Sequence, residues 1–346
     1  MSQESSPPPT FDTRYFVRAT GLGNWPGTDM VDALNRVRGE LGAPHLPFLP
    51  IQTERGYASS TLARTIACLD GLDADGASFG WRIVNGFSRE GQKARSLFAS
   101  DLNALADTVG KESGSGHAFK LQLTGPITLA ASLYLPNGER AISDSGAVRD
   151  IRDSLIAGLE PWLRLLQEAV PGESIVIQWN ESALESALRG TIKTASGFRT
   201  HRAIPVQTLE ESYELLASEL KSQNVELAIN SVPFDYLKKL TFVAQASTIS
   251  LEHLTEYDWE KIAWLVESNQ QVWLGAVSLN QCKPLVEQAF HFWKTWRNIG
   301  LPASALSQVT LTEDGDLSQL SPTQATAVLG DLTELARALS EIAQDN

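Results

Sequence analysis

Cysteine, methionine and positive charge are all scarce in this sequence. Its 346 residues include two cysteines, two methionines and 28 lysines and arginines, against 41 aspartates and glutamates. The two cysteines, Cys68 and Cys282, lie far apart, which argues against a disulfide framework or a Cys-x-x-Cys zinc ribbon and favours a reducing compartment. The net charge of −13 comes without any basic block, which argues against a nucleic-acid or anionic-membrane surface. We therefore expect a small-molecule partner.

Long apolar runs and targeting signals are missing as well. No uninterrupted apolar stretch reaches the ~18 residues that a membrane span requires. The first residues contain no positive segment followed by an apolar one, so they do not form a signal peptide. We interpret Met1–Thr13 as a disordered leader, residues 14–346 as one domain, and the protein as cytoplasmic.

What the sequence does contain is a regular alternation of strand and helix patterns. Eight strand candidates lie near residues 15, 79, 119, 174, 225, 248, 272 and 308, and helical patterns separate nearly all of them. This alternation predicts a parallel α/β sheet, and eight units predict a (β/α)8 TIM barrel. An open doubly wound sheet is the alternative, weakened by the lack of a GxGxxG turn. His45–Pro50 is predicted as an extended connector, because a residue that precedes proline is pushed out of the helical region.

Polar residues follow most of these strands, and in a barrel the ligand binds at the carboxyl ends of the strands. In Ser174–Leu184, for example, the apolar run Ile175-Val176-Ile177 leads into Gln178, Asn180 and Glu181. The residues at these strand ends include Asn24, Arg82, Gly125, Pro126, Gln178, Asn180, Glu181, Asn230, Glu252, Glu313 and Asp314. Their carboxylates suit general acid/base or cation-binding work. Alternatively, Glu181, Glu313 and Asp314 are solvated loop residues or charges at helix N-termini.

A metal site can be sought among the same positions. A catalytic zinc ion needs about three ligands from histidine, cysteine, aspartate and glutamate. His253 is the histidine that lies near a predicted strand end, next to Glu252, and Cys282 follows the seventh strand. A metal site built from Glu252, His253 and Cys282 therefore remains an alternative, although a free cysteine usually serves as a small buried apolar residue.

Three stretches resemble a known family. Gly21–Pro26 (G-L-G-N-W-P), Lys120–Leu133 (with its G-P-x-T) and Ile177–Leu184 (I-Q-W-N-E-S-A-L) resemble segments of the catalytic domain of cobalamin-independent methionine synthases. The resemblance implies a TIM barrel shared with uroporphyrinogen decarboxylase. It also implies a methyltransferase of methionine biosynthesis, which moves a methyl group from a folate to homocysteine. In that family a zinc ion held by His, Cys, Glu and Cys keeps the thiol as a nucleophilic thiolate.

The resemblance can be followed to single positions. The first two family ligands fall on Ala228 and Asn230, the carboxylate ligand on Glu252, and the late cysteine on Gly315. Because one ligand in four is kept, the resemblance implies that zinc binds weakly or not at all. On the substrate side, Asn180 replaces an aspartate that suits the ammonium group of the substrate, and Glu181 is kept.

Three functions follow as alternatives. The first is a methionine synthase-like methyltransferase with a metal-free or rearranged site, with Glu252, Glu181 and Asp314 as catalytic residues. Its substrate would be held by Asn24, Trp25, Gly125, Pro126, Gln178, Asn180 and Asn230. The second is a barrel without this chemistry that binds a small metabolite, an amino acid or a folate-like molecule, or acts as a partner subunit. The third is decarboxylase-like proton transfer by Asp314 or Glu313. The sequence gives no indication of the oligomeric state.

Overall fold

The structure is a computed structural model that describes residues 16–110, 118–240, 246–251, 254–279 and 284–345. The predicted leader Met1–Thr13 lies outside these ranges. The described strands are β1 (Arg18–Ala19), β2 (Asp73–Ala77), β3 (Gly80–Val84), β4 (Ala118–Thr124), β5 (Leu133–Tyr134), β6 (Ser174–Asn180), β7 (Val225–Asn230), β8 (Ala246–Ser250), β9 (Gln271–Ser278) and β10 (Val309–Asp314). The described α-helices are α1 (Met30–Glu40), α2 (Thr61–Ala67), α3 (Arg89–Val109), α4 (Pro126–Ser132), α5 (Ser145–Ala169), α6 (Leu184–Arg189), α7 (Val206–Ser222), α8 (Phe234–Leu240), α9 (Glu256–Glu267), α10 (Leu285–Asn298) and α11 (Pro322–Asp345).

Seven parallel strands form one curled sheet in the order β1-β10-β9-β8-β7-β6-β4. Helices follow most of these strands along the chain, and the main apolar core lies between strands and helices. Parallel strands need such crossover helices, which then cover the outer face of the sheet. The predicted TIM-barrel type of fold is therefore confirmed, although strand pairing alone does not close the barrel.

The gap between the edge strands β1 and β4 is occupied by the extended segment 46–51. On one side, the N–H groups of Leu46 and Ile51 donate to the carbonyls of Ala19 and Gly23, both at 2.9 Å. On the other side, Leu49 N donates to Lys120 O at 3.0 Å, and Lys120 N donates to the carbonyl of Pro47 at 2.9 Å. Prolines at 47 and 50 cannot donate, which interrupts the ladder. The predicted connector thus lies in the place of an eighth strand.

The prediction that Phe79–Val84 is the second strand of the barrel is wrong. β3 pairs antiparallel with β2 and parallel with β5 in a separate three-stranded sheet. The tight β2–β3 connection reaches Gly80 with φ 139°, a conformation that favours glycine. The apolar side chains that suggested a barrel strand pack outside the barrel instead, since buried Trp81 stacks on Tyr57 with ring centroids 4.7 Å apart.

Most helices lie where the periodicity predicts them. Asp29 caps α1 by accepting a hydrogen bond from Asp32 N at 3.0 Å, and Ser88 caps α3 by accepting one from Gly91 N at 2.8 Å. Among the described helices, none combines the length and the apolar character needed to cross a membrane.

Two helical glycines provide a matched test of the packing between α2 and α5. A Cβ at Gly158 of α5 would lie 1.8 Å from the carbonyl oxygen of Cys68, at the end of α2, whereas a Cβ at Gly39 of α1 meets nothing within 4 Å. We expect Gly158→Ala to lower the free energy of unfolding by roughly 1–3 kcal/mol. Gly39→Ala should raise it by about 0.5–1 kcal/mol through helix propensity. Urea denaturation measures both, and equal effects would contradict this packing.

Candidate functional site

A cavity opens at the carboxyl ends of β7, β8, β9 and β10, where ligands bind in barrels of this type. Its volume is about 560 Å³. The polar side chains that line this mouth cavity and matter for its chemistry are Asn230, Thr248, Ser250, Thr312, Glu313 and Asp314.

An irregularity in β10 brings two neighbouring side chains into the mouth cavity. Thr312 pairs with Gly275 of β9, but Glu313 pairs with Val277, so the register shifts between them. Consecutive side chains of a regular strand point to opposite faces. A β-bulge changes that direction locally, and here Thr312 and Glu313 are both buried and both line the cavity.

Glu313 is a buried carboxyl group with one free oxygen. Its Oε1 accepts a hydrogen bond from Leu22 N at 2.7 Å, whereas its Oε2 has no hydrogen-bond partner among the described residues. Burial raises the pKa of Glu313 to about 7, and the nearby Lys120 acts in the opposite direction. The Oγ1 atoms of Thr248 and Thr312 are likewise buried without partners in the described part of the chain.

Lys120 lies inside the barrel below this cavity and is fully buried. Its Nζ donates to the carbonyl of Gly21 and to Gln178 Oε1. The rings of Phe48 and Trp273 lie 5.3 Å from the ammonium nitrogen, close enough for cation–π attraction. Burial lowers the pKa of Lys120 to about 7, and the charge of Glu313 raises it. Through its two hydrogen bonds, Lys120 connects the loop after β1 to β6 inside the barrel.

A chain of amides links this lysine to the mouth. Gln178 Nε2 donates to Leu22 O at 3.0 Å and to Asn180 Oδ1 at 2.8 Å. Asn230 Nδ2 donates to the same Asn180 oxygen at 3.1 Å. The structure therefore brings three predicted substrate-binding residues together, with Asn230 lining the cavity.

The predicted residue Asn24 is tied to the loop after β10, where its Nδ2 donates to Asp316 Oδ1 at 3.0 Å. Asp314 lines the mouth cavity and accepts a hydrogen bond from Ser250 Oγ at 2.7 Å. Trp25, in contrast, is buried in the core, with its ring edge-on to Phe48 at 6.4 Å.

Glu181 is completely buried and does not line the mouth cavity. Its carboxylate accepts hydrogen bonds from Ile127 N, Thr128 N, Thr128 Oγ1 and Tyr213 OH, at 2.6 to 3.1 Å. Burial raises the pKa of Glu181, and these hydrogen bonds oppose the rise. The carboxylate thus satisfies N–H groups at the start of α4, which leaves it well occupied.

Gly125 and Pro126, both predicted to contact substrate, belong to this same buried corner. A Cβ at Gly125 would lie 2.4 Å from the Glu181 carboxyl carbon. Pro126 is the first residue of α4, where the missing N–H costs nothing. These residues lie away from the open cavity, and the catalytic role of Glu181 stays a prediction. Glu252, the other predicted catalytic glutamate, lies outside the described residues.

The side chains at the family's zinc positions do not fit a zinc ion. Ala228 belongs to an apolar cluster inside the barrel with Leu46, Val176 and Trp273. Gly315 has φ 142°, and a Cβ there would lie 2.7 Å from Leu279 Cγ, so a cysteine side chain would collide with that leucine. The Asn230 amide is bonded to Asn180.

No other cluster takes the place of this set in the described ranges, where no three His, Cys, Asp or Glu side chains lie close enough to hold a metal ion. His253 and Cys282, the candidates for a substitute site, fall outside those ranges.

Lys120, Thr248 and Glu313 are the site residues that sequence reasoning did not select. The alternation in Phe119–Leu123 placed Lys120 and Gln122 on one face, which is a signal for an inward lysine. Glu313 entered the sequence reasoning only as a solvated loop residue or as the proton-transfer group of the decarboxylase-like alternative.

Glu313 should give the stability of the protein a specific pH dependence. Its folded-state pKa, about 7, is raised above the usual value of 4.5. Between pH 5 and 7 the folded state therefore binds more protons than the unfolded state, so this group makes stability fall as pH rises. We expect the free energy of unfolding of Glu313→Gln, relative to that of wild type, to be at least ~1 kcal/mol higher at pH 7 than at pH 5. Urea denaturation at both pH values tests this, with exposed Glu214→Gln as control; parallel curves for wild type and Glu313→Gln would contradict it.

Comparison with known proteins supports the fold. No protein-family profile and no characterised protein matches the sequence. Among solved structures, a B12-independent methionine synthase from Shewanella sp. W3-18-1 in complex with selenomethionine superposes with a TM-score of 0.58 at 13% identity, over 95% of this chain and 98% of that chain. The GH26 domain of an endo-β-mannanase/endo-β-glucanase from Prevotella bryantii gives a TM-score of 0.42 at 11% identity, over 92% and 89%. At 13% identity the likeness to the methionine synthase concerns the fold alone, and this chain is a TIM-barrel-type α/β protein.

Proposed function

We propose that this chain is a methionine synthase-like barrel whose mouth cavity binds a small, polar metabolite of amino-acid size without a zinc ion. The proposal rests on three side chains that line the cavity, Thr248, Thr312 and Glu313, each of which has a buried oxygen without a hydrogen-bond partner in the described part of the chain. A buried polar atom without a partner costs about 1–3 kcal/mol. A polar ligand in the cavity would offset this cost by forming hydrogen bonds with these atoms.

The choice of an amino-acid-sized ligand rests on the shape of the site and on the fold. The cavity lies at the end of the barrel where ligands of this fold bind, and about 560 Å³ is within the range of small-molecule sites. The methionine synthase of similar fold was solved with selenomethionine. L-Methionine and L-homocysteine are therefore the first ligands to test.

Zinc-dependent methyl transfer to a thiol is not part of this proposal. That reaction needs a metal to hold the thiol as thiolate at neutral pH, and the corresponding positions hold Ala228, Asn230 and Gly315. The chemistry that the described residues support is binding through amide, hydroxyl and carboxylate groups. Asp314 is the partly exposed carboxylate at the mouth that could also exchange a proton with a bound ligand.

A blocked cavity provides the direct test. Ser250→Trp places an indole at the exposed rim of the mouth cavity, whereas Ser222→Trp places one at the exposed end of α7, near the opposite end of the barrel. We expect L-methionine or L-homocysteine to bind in the presence of a chelator, and only Ser250→Trp to abolish that binding. Isothermal titration calorimetry measures the affinity. Binding that requires added zinc, or that survives Ser250→Trp, would refute the proposal.

Restoring a charge at position 180 should strengthen the binding of an ammonium-bearing ligand. Asn180 Oδ1 accepts from Gln178 and Asn230, and a carboxylate can accept the same two hydrogen bonds. We expect Asn180→Asp to improve the affinity about fivefold or more, because a negative charge behind Asn230, which lines the cavity, attracts a ligand that carries an ammonium group. Asn103→Asp, on the exposed surface of α3, adds the same charge elsewhere and should leave the affinity unchanged. Equal titration curves for the two variants would contradict this role of Asn180.

A further inference from the structure

Among the described residues, the charged side chains that line the mouth cavity are all acidic. They are Glu185, Glu313 and Asp314. Glu185 is ion-paired with Arg189 at 3.0 Å, so Glu313 and Asp314 dominate the charge of the lining. A zwitterionic amino acid presents a carboxylate as well as an ammonium group, and nothing basic among these residues would pair with that carboxylate. The lining is better matched to a ligand with a net positive charge.

The floor of the cavity adds geometry to this charge. Three of the side chains that line it have a buried oxygen without a hydrogen-bond partner among the described residues, namely Glu313 (Oε2), Thr312 (Oγ1) and Thr248 (Oγ1). Glu313 and Thr312 are neighbours in sequence and reach the same cavity because of the bulge in β10. Thr248 comes from β8, across β9 from them. A primary ammonium group has three N–H donors, so three acceptors from two strands suit it.

We propose that the mouth cavity binds a cationic primary amine, whose ammonium group is held by Glu313, Thr312 and Thr248. This inference rests on the proposed function, because it requires that the cavity binds a small metabolite. It narrows the ligand class to amines without a compensating carboxylate, such as decarboxylated amino acids or diamines. The free side of Glu313 and the two threonine hydroxyls set this preference.

The nearest buried cation does not already fill this position. The hydrogen bonds of the Lys120 ammonium go to Gly21 O and Gln178 Oε1, below the cavity, and not to Glu313 Oε2. Lys120 therefore favours the ionised form of Glu313 without occupying its free oxygen. A ligand ammonium would give this carboxylate a direct partner in a water-poor site, where a charge-assisted hydrogen bond is stronger than in water.

Three probes with the same thioether chain separate the two proposals. They are 3-(methylthio)propylamine, a cation; L-methionine, a zwitterion; and 4-(methylthio)butanoate, an anion. Calorimetric titration should give the tightest binding for the amine, weaker binding for methionine and the weakest for the acid. If none of the three binds, the proposed function fails, and this inference fails with it. If methionine or the acid binds at least as tightly as the amine, the inference fails while the proposed function stands.

Variants then test the residues themselves. Glu313→Gln should weaken binding of the amine tenfold or more and leave the acid unaffected or slightly improved. Glu214→Gln, which removes the same charge from the exposed face of α7, is the matched control and should change nothing. If Glu313→Gln fails to fold, Thr248→Val serves instead and should weaken the amine about threefold or more. Unchanged amine affinity in a folded Glu313→Gln or Thr248→Val variant would overturn the assignment of the ammonium site.

Discussion

The hydrogen bonds that segment 46–51 makes to both edge strands enclose the barrel interior. On one side they reach β1 and the loop after it, and on the other side β4. The seven strands curl without pairing edge to edge, so this segment separates the inner side chains from solvent on that flank. Lys120 is the residue that depends on it most directly, because the same segment supplies the Phe48 ring beside its ammonium group.

This enclosure explains the electrostatics of the site. Lys120 and Glu313 are ordinary residues whose pKa values move toward each other because burial disfavours the charged form of each. Each also stabilises the charge of the other. The result is a polar interior in which the lysine donates to a carbonyl and an amide oxygen, while one carboxylate oxygen of Glu313 has no hydrogen-bond partner among the described residues. Ala228 packs in an apolar cluster, and Leu279 lies where a side chain at position 315 would extend.

The sequence predicts the fold better than the site. Alternating strand and helix patterns predicted the parallel sheet and seven of its strand positions, since local periodicity reports which face of an element is buried. The error concerned Phe79–Val84 and the proline-containing segment 46–51, because a chain with two prolines lacks the pattern of a strand yet can fill the place of one. Strand ends pointed to Asn230 and Asp314, which both line the mouth cavity. They could not indicate Glu313 and Thr248 as partners, because a bulge in β10 and contacts across three strands are tertiary features with no local pattern.

A crystal structure of the protein soaked with 3-(methylthio)propylamine would locate the bound amine. We expect the amine nitrogen within hydrogen-bonding distance of Glu313, Thr312 and Thr248, with the thioether chain directed toward the mouth between β7 and β9. A mouth cavity that contains only water, or an amine bound elsewhere on the barrel, would contradict this expectation.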